Sequence, residues 1–158
     1  MVFFANYLFI IIIFVSVIFL LLQKRDIQKQ ILLFSFVSLP FVFILAKILS
    51  YLYYSPRPFV VHHFTPLVFH APNNGFPSDH AILTFSLATI VFVFNRKWGF
   101  AIFFLGLLVG IGRIYVGIHS VIDVFGGFLI SSGVVIAVHL SIMKLRTGLK
   151  KNSTSKNK

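Results

Sequence analysis

The 158-residue sequence contains no cysteine. Disulfides and thiolate chemistry are therefore excluded, and the redox compartment leaves no mark on the chain. Charge is scarce as well: only 11% of residues are charged, with three acids against 14 Lys and Arg. What fills the space is apolar, at 58% of residues and a mean hydropathy of +0.98. A soluble domain of this length keeps too much of its surface in water to hide such a composition. Lipid is the solvent it implies. Residues 2–22 carry no charge and suffice for a helix crossing roughly 30 Å of hydrocarbon. No basic stretch precedes this run and no small-residue cleavage site follows it, so a retained span is expected rather than a signal peptide.

Polar interruptions divide the chain into apolar stretches at about 2–22, 31–54, 80–94, 98–116 and 120–143. Backbone in hydrocarbon must satisfy its own hydrogen bonds, so each stretch reads as a helix. The expected fold is an all-α integral membrane protein, a bundle of about five transmembrane helices. Residues 1–146 form its single domain and 147–158 a basic, disordered tail. Helices two to five are expected to hold the functional site, with the first peripheral. Gly106/Gly110 and Gly127/Ser131 are small-x-x-x-small pairs of the kind that let helices approach closely.

A net charge of +11 in a soluble protein would suggest nucleic acid. The distribution points to membrane lipid instead. Eleven of the basic residues lie in three regions: 24–29, 96–97 and 144–158. By the positive-inside rule these are cytoplasmic, which puts the N-terminus outside and the C-terminus inside. Five formal charges remain: Lys47, Arg57, Asp79, Arg113 and Asp123. All fall in, or near the outer ends of, the last four apolar stretches. Charge at membrane depth is costly and marks cavities or partners. Three cations, two carboxylates and several histidines at one face suggest an anion site with acid–base groups.

Spacing sharpens this. Arg57-Pro58 follows the second stretch, Pro77-Ser78-Asp79-His80 opens the third, and Arg113 precedes His119 and Asp123 by six and ten positions. The ordered set, over residues 44–125, resembles the type 2 phosphatidic acid phosphatase family. That family carries a Lys before Arg-Pro, then Pro-Ser-x-His, then Arg-x5-His-x3-Asp. Phe76-Pro-Ser-Asp-His together with Arg-Pro-Phe59 is similar to its bacterial undecaprenyl-diphosphate phosphatase branch. The departures are local. Ser50 stands at the usual lysine position and Lys47 three residues earlier, Pro56 precedes Arg57, Asp79 replaces the usual Gly, and Gly112 a common Ser.

The resemblance implies a membrane lipid phosphatase acting through a phosphohistidine, without a metal or other cofactor. His119 would be the nucleophile, Asp123 its partner one helical turn on, and His80 the acid that protonates the leaving oxygen. Lys47, Arg57, Ser78, Asp79 and Arg113 would form the phosphate site, with Ser78 capping a helix whose amides face the phosphate. The expected substrate is a polyprenyl diphosphate. Phosphatidylglycerol phosphate or phosphatidic acid is the runner-up, and a protein that binds or transports lipid phosphate without hydrolysis is the alternative class. His62, His63 and His70 with Asp79 are a possible metal set, though their spacing fits no familiar zinc pattern. No serine lies in a Gly-x-Ser-x-Gly context, which disfavours an intramembrane serine protease. Nothing in the sequence sets oligomeric state.

The orientation is directly testable, because the absence of cysteine allows single thiols without background. A membrane-impermeant thiol reagent on intact cells is expected to label Asn73→Cys and spare Ser153→Cys. The reverse pattern would invert the topology.

Overall fold

A computed structural model describes the backbone of residues 1–155 and the side chains of residues 1–147. It contains α1 (Val2–Asn6), α2 (Leu8–Leu21), α3 (Arg25–Leu52), α4 (Pro58–Val61), α5 (Asp79–Phe94), α6 (Arg96–Tyr115) and α7 (Val121–Ser155). Among the described residues there is no strand, so the all-helical expectation holds. The tail expected over 147–158 lies almost wholly outside the described side chains.

Among the described residues, three helices are long and apolar enough to cross a membrane: α3, α6 and α7. The other two apolar helices are shorter. With 14 residues in α2 and 16 in α5, each spans only about 21–24 Å at 1.5 Å per residue. Large apolar side chains point outward along the bundle, among them Phe14, Phe36, Phe41, Phe104 and Leu140, each more than half exposed. Such a surface is suited to hydrocarbon and not to water.

The centre of the bundle is α5, which packs against α2, α3, α6 and α7. Half of its residues are buried, and they are mostly small or hydroxylic: Ala81, Thr84, Ser86, Ala88 and Thr89. Thr84 and Thr89 return their hydroxyls to carbonyls one turn back, which makes polar residues tolerable inside the bundle. Thr89 also meets Ser132 of α7 at 3.1 Å. Small residues on the facing helices bring the axes together. A Cβ on Gly106 would meet the Phe85 ring at 3.2 Å, and one on Gly127 would meet Ala81 Cβ at 2.8 Å. Both small-x-x-x-small pairs therefore contribute a close-approach glycine.

The expectation of a peripheral first helix is corrected. The first apolar run breaks at Tyr7 into α1 and α2, and both are integral. Ala5 and Ile12 are fully buried, and Leu8 and Phe19 nearly so. Gly112 of α6 lies so close to α1 that an added Cβ would stand 2.8 Å from the Ala5 nitrogen. Apolarity alone gives no direction to a helix, since an evenly hydrophobic segment suits lipid and core alike.

Chain direction alternates through the bundle, so the end of α3, the start of α5, the end of α6 and the start of α7 meet at one end. The charged residues noted in the sequence gather there.

Two α7 glycines separate close packing from helix propensity. Gly127→Ala forces a methyl into the α5–α7 contact and is expected to cost about 1–3 kcal/mol. Gly133→Ala, with nothing within 4 Å of the new carbon, should be neutral or stabilising by roughly 0.5–1 kcal/mol. Thermal unfolding in detergent measures both, and equal effects would refute the packing argument.

Candidate active site

The site is organised by the turn between α6 and α7. Arg113 occupies the last turn of α6, His119 lies in the connection, and Ser120 precedes α7. The Ser120 amide donates to Asp123 Oδ2 at 2.7 Å, and the Asp123 amide donates to Ser120 Oγ at 3.3 Å. This reciprocal pair is a capping box, with Asp123 in the third helical position. It fixes the carboxylate below the His119 ring, whose Nδ1 stands 3.5 Å from Asp123 Oδ2. That distance is long for a hydrogen bond, but it assigns Nδ1 to the carboxylate side. His119 itself lies just outside the helix.

The other ring nitrogen faces two cations. His119 Nε2 is 3.3 Å from Arg57 Nη1 and 3.4 Å from Arg113 Nη2. Guanidinium nitrogens only donate, so Nε2 must present its lone pair and Nδ1 its proton. All four side chains are nearly inaccessible, at 4% for Arg57, 5% for Arg113, 3% for His119 and 0% for Asp123. Burial pushes the His119 pKa below its ordinary value, the Asp123 carboxylate opposes this, and Arg113 and Arg57 add to the lowering. The ring is thus held neutral at pH 7, as a nucleophile requires.

Main-chain carbonyls hold the arginines. Arg57 donates through Nη1 to Ile118 O at 2.8 Å and through Nη2 to Asn74 O at 3.2 Å. Its Nε donates to Asn73 Oδ1 at 3.0 Å. Burial lowers the Arg57 pKa, with Asp123 and Asp79 opposing, and it remains cationic. Arg113 Nη1 reaches Ala5 O at 3.5 Å, and its Nε is buried without a partner. Two guanidiniums converging on one nitrogen, with little carboxylate to balance them, are an arrangement chemically suited to an anion.

The remaining expected residues lie around this centre at different depths. Ser78 is at the N-cap position of α5 but makes no cap bond, and its hydroxyl is buried without a partner. The Ser78 amide instead donates to Asp123 O at 3.1 Å, which ties the start of α5 to α7. His80 lies in the first turn of α5, with its ring edge-on to Phe9 of α2, centroids 4.6 Å apart. Asp79 and Lys47 are exposed and line a neighbouring cavity. Lys47 Nζ lies over the Phe43 ring, 5.3 Å from its centroid, and makes no hydrogen bond with the His119 cluster. Ser50, one turn further on, serves the scaffold by accepting from Asn74. The histidines of the 55–78 connection do not converge. His62 and His63 are exposed, His70 faces His119 with ring centroids 6.2 Å apart, and no three-residue metal-ligand cluster occurs among the described residues.

Sequence reasoning missed the scaffold. The Asn74 side chain accepts from the amides of Ser55 and Phe76 and donates to the carbonyls of Ser50 and Tyr53. Gly75 fits where a Cβ would stand 2.9 Å from Asp123 Oδ2. Asn73-Asn74-Gly75 is a readable turn signature, and Ser120-x-x-Asp123 a readable capping box.

The sequence model of the PAP2 superfamily matches residues 31–147. The chain is 37% identical over 84 residues to undecaprenyl-diphosphatase BcrC of Bacillus subtilis, covering 53% of this chain and 44% of that protein. It is 33% identical over 110 residues to the bacitracin transport permease protein BcrC of Bacillus licheniformis, covering 69% and 54%. It is 29% identical over 115 residues to an undecaprenyl-diphosphatase of Sulfolobus acidocaldarius, covering 72% and 55%. The chain thus spans about half the length of the curated relatives it matches.

The Asn74 scaffold generates its own test. Asn74→Ala removes four main-chain hydrogen bonds at once and is expected to lower stability by about 2–4 kcal/mol. Asn73→Ala, at an exposed position with a single bond to Arg57, should cost roughly 1 kcal/mol or less. Melting curves that fail to separate the two would show that Asn74 does not hold the site together.

Proposed function

The chain belongs to the PAP2 superfamily, and on that premise we propose that it removes the terminal phosphate of a polyprenyl diphosphate lipid at the outer face of a bacterial cell membrane. The carrying observation is the environment of His119: Nε2 lies between two guanidiniums at 3.3 and 3.4 Å, and Nδ1 faces a buried carboxylate. A nitrogen so placed is neutral and oriented, and lies where phosphate charge is best stabilised.

In this reading the terminal phosphate sits against Arg57, Arg113 and the start of α5. His119 Nε2 attacks phosphorus as the bond to the bridging oxygen breaks, and His80 gives that oxygen a proton. The lipid monophosphate leaves, and water then cleaves the phosphohistidine to release orthophosphate. Asp123 supports the positive charge that the imidazole acquires. Binding energy goes into positioning and charge stabilisation, which dominate phosphoryl transfer.

Three observations support a lipid substrate. The site lies at one end of an apolar bundle, two relatives are named undecaprenyl-diphosphatases, and the basic regions favour an outward site. The permease name of the Bacillus licheniformis relative accommodates the non-hydrolytic alternative. The His80, His119 and Asp123 set favours hydrolysis, because binding alone requires no acid and no oriented nucleophile.

Phosphate release from purified protein in detergent decides between these readings. Polyprenyl diphosphate should be turned over faster than phosphatidylglycerol phosphate or phosphatidic acid, and excess chelator should leave the rate unchanged. His119→Ala should lower the rate roughly a thousandfold or more while the melting temperature holds. Near-normal turnover in that variant would sink the mechanism, and loss of activity on chelation would revive a metal role for the loop histidines.

A further inference from the structure

Beside the His119 cluster lies a cavity of about 230 Å³ whose polar wall includes Lys47, His70, Asn73 and Asp79. Arg57 forms part of the same wall, so the cavity and the His119 cluster share one guanidinium. The mechanism above leaves Lys47, His70 and Asp79 without a task. Phe43 and Ile82 complete the wall on the bundle side, and Phe43 is 59% exposed along its outer face.

His70 is held in this wall by the structure around it. Leu67 donates its amide to Val116 O at 3.1 Å, and the ring of Phe64 lies against Gly117, where an added Cβ would meet it at 2.5 Å. Val68 packs on the buried cluster of Ala5, Val116 and Ile118. On the other side of His70, Asn73 bonds Arg57 and Asn74 is tied to four main-chain groups. The histidine is thus pinned from both sides, with its ring centroid 6.2 Å from that of His119. His70 therefore borders both the cavity and the His119 ring.

We propose that this cavity is a second phosphate lobe, in which His70 and Lys47 hold the phosphate of a diphosphate that stays with the lipid while the terminal phosphate sits against His119. The inference rests on the proposed hydrolysis of a diphosphate lipid and specifies how the site tells a diphosphate from a monophosphate. Lys47 lies three residues before Ser50 on α3, about 4.5 Å further from the site end of the helix. That is the direction in which the tail must run, and Phe43 offers it an apolar exit. Charge fits as well. Lys47 and the shared Arg57 outweigh Asp79 by one unit, and His70 joins them as a neutral ring, because burial, Arg57 and Arg113 hold its pKa below the ordinary value against the Ala71 carbonyl and Asp79. In the transfer step the lobe would stabilise charge on the departing lipid monophosphate, help that a monophosphate substrate could not receive.

The test is binding, read separately from turnover. Calorimetry on the purified full chain in detergent would compare methylenediphosphonate, a non-hydrolysable diphosphate probe, with inorganic phosphate. His70→Ala and Lys47→Ala should each weaken methylenediphosphonate roughly 10- to 100-fold, while phosphate stays within about twofold. Retained phosphate affinity also reports a folded His119 pocket, and His70→Gln, which keeps a donor without charge, should recover part of the loss. If both probes weaken in parallel, or neither changes, there is no second lobe. Wild-type protein that releases no phosphate from polyprenyl diphosphate would overturn the proposed function instead, whatever the binding result.

Discussion

Two buried guanidiniums held within 3.4 Å of one imidazole nitrogen are the constraint to which the rest of the molecule answers. Like charges do not gather in a low-dielectric end of a bundle unless something compensates them. Here the compensation is mostly neutral. Carbonyls of Ile118, Asn74 and Ala5 face the two arginines, together with the Asn73 amide oxygen. The one nearby buried carboxylate, Asp123, is occupied with the Ser120 amide and the His119 ring. A centre satisfied by dipoles keeps its positive potential for an incoming anion, whereas a direct salt bridge would have consumed it.

The helices supply the rigidity that such a centre needs. The chain brings four helix ends to one face of the bundle, and the glycine contacts at Gly106 and Gly127 set how close those ends come. Hydrogen bonds then fasten the connections to one another: Gly75 to Ser55, Ser78 to Asp123, and Leu67 to Val116. Each joins segments far apart in sequence, so the 55–78 connection is a structured cover and not a loose loop.

Much of this was legible in the sequence, for identifiable reasons. In a chain with 11% charge, each charged residue away from the basic regions is informative. His119, Arg57, Arg113 and Asp123 indeed meet in space. Helix existence followed from hydrophobic runs, and small-x-x-x-small spacing found real contacts. Three things were not legible. The first helix looked peripheral because uniform apolarity hides which side faces protein. Helix periodicity places Lys47 on the face of α3 that looks toward the site, but it does not give the resting place of the long side chain, whose Nζ lies over the Phe43 ring. The contributions of Ala5, Asn74 and Ile118 come from carbonyl groups, which residue identity does not advertise.

The contact between Arg113 and the Ala5 carbonyl joins residues 108 positions apart, and it has a consequence for biogenesis. The chain is synthesised from its N-terminus, so α1 is made well before α6 and must wait for it. Before that meeting, Arg113 has neither its carbonyl nor its neighbours, and the pair of guanidiniums around His119 is not assembled. On the proposed function, competence toward phosphate would arise only on completed assembly, and a chain halted before the α6–α7 turn would lack the His119 cluster altogether.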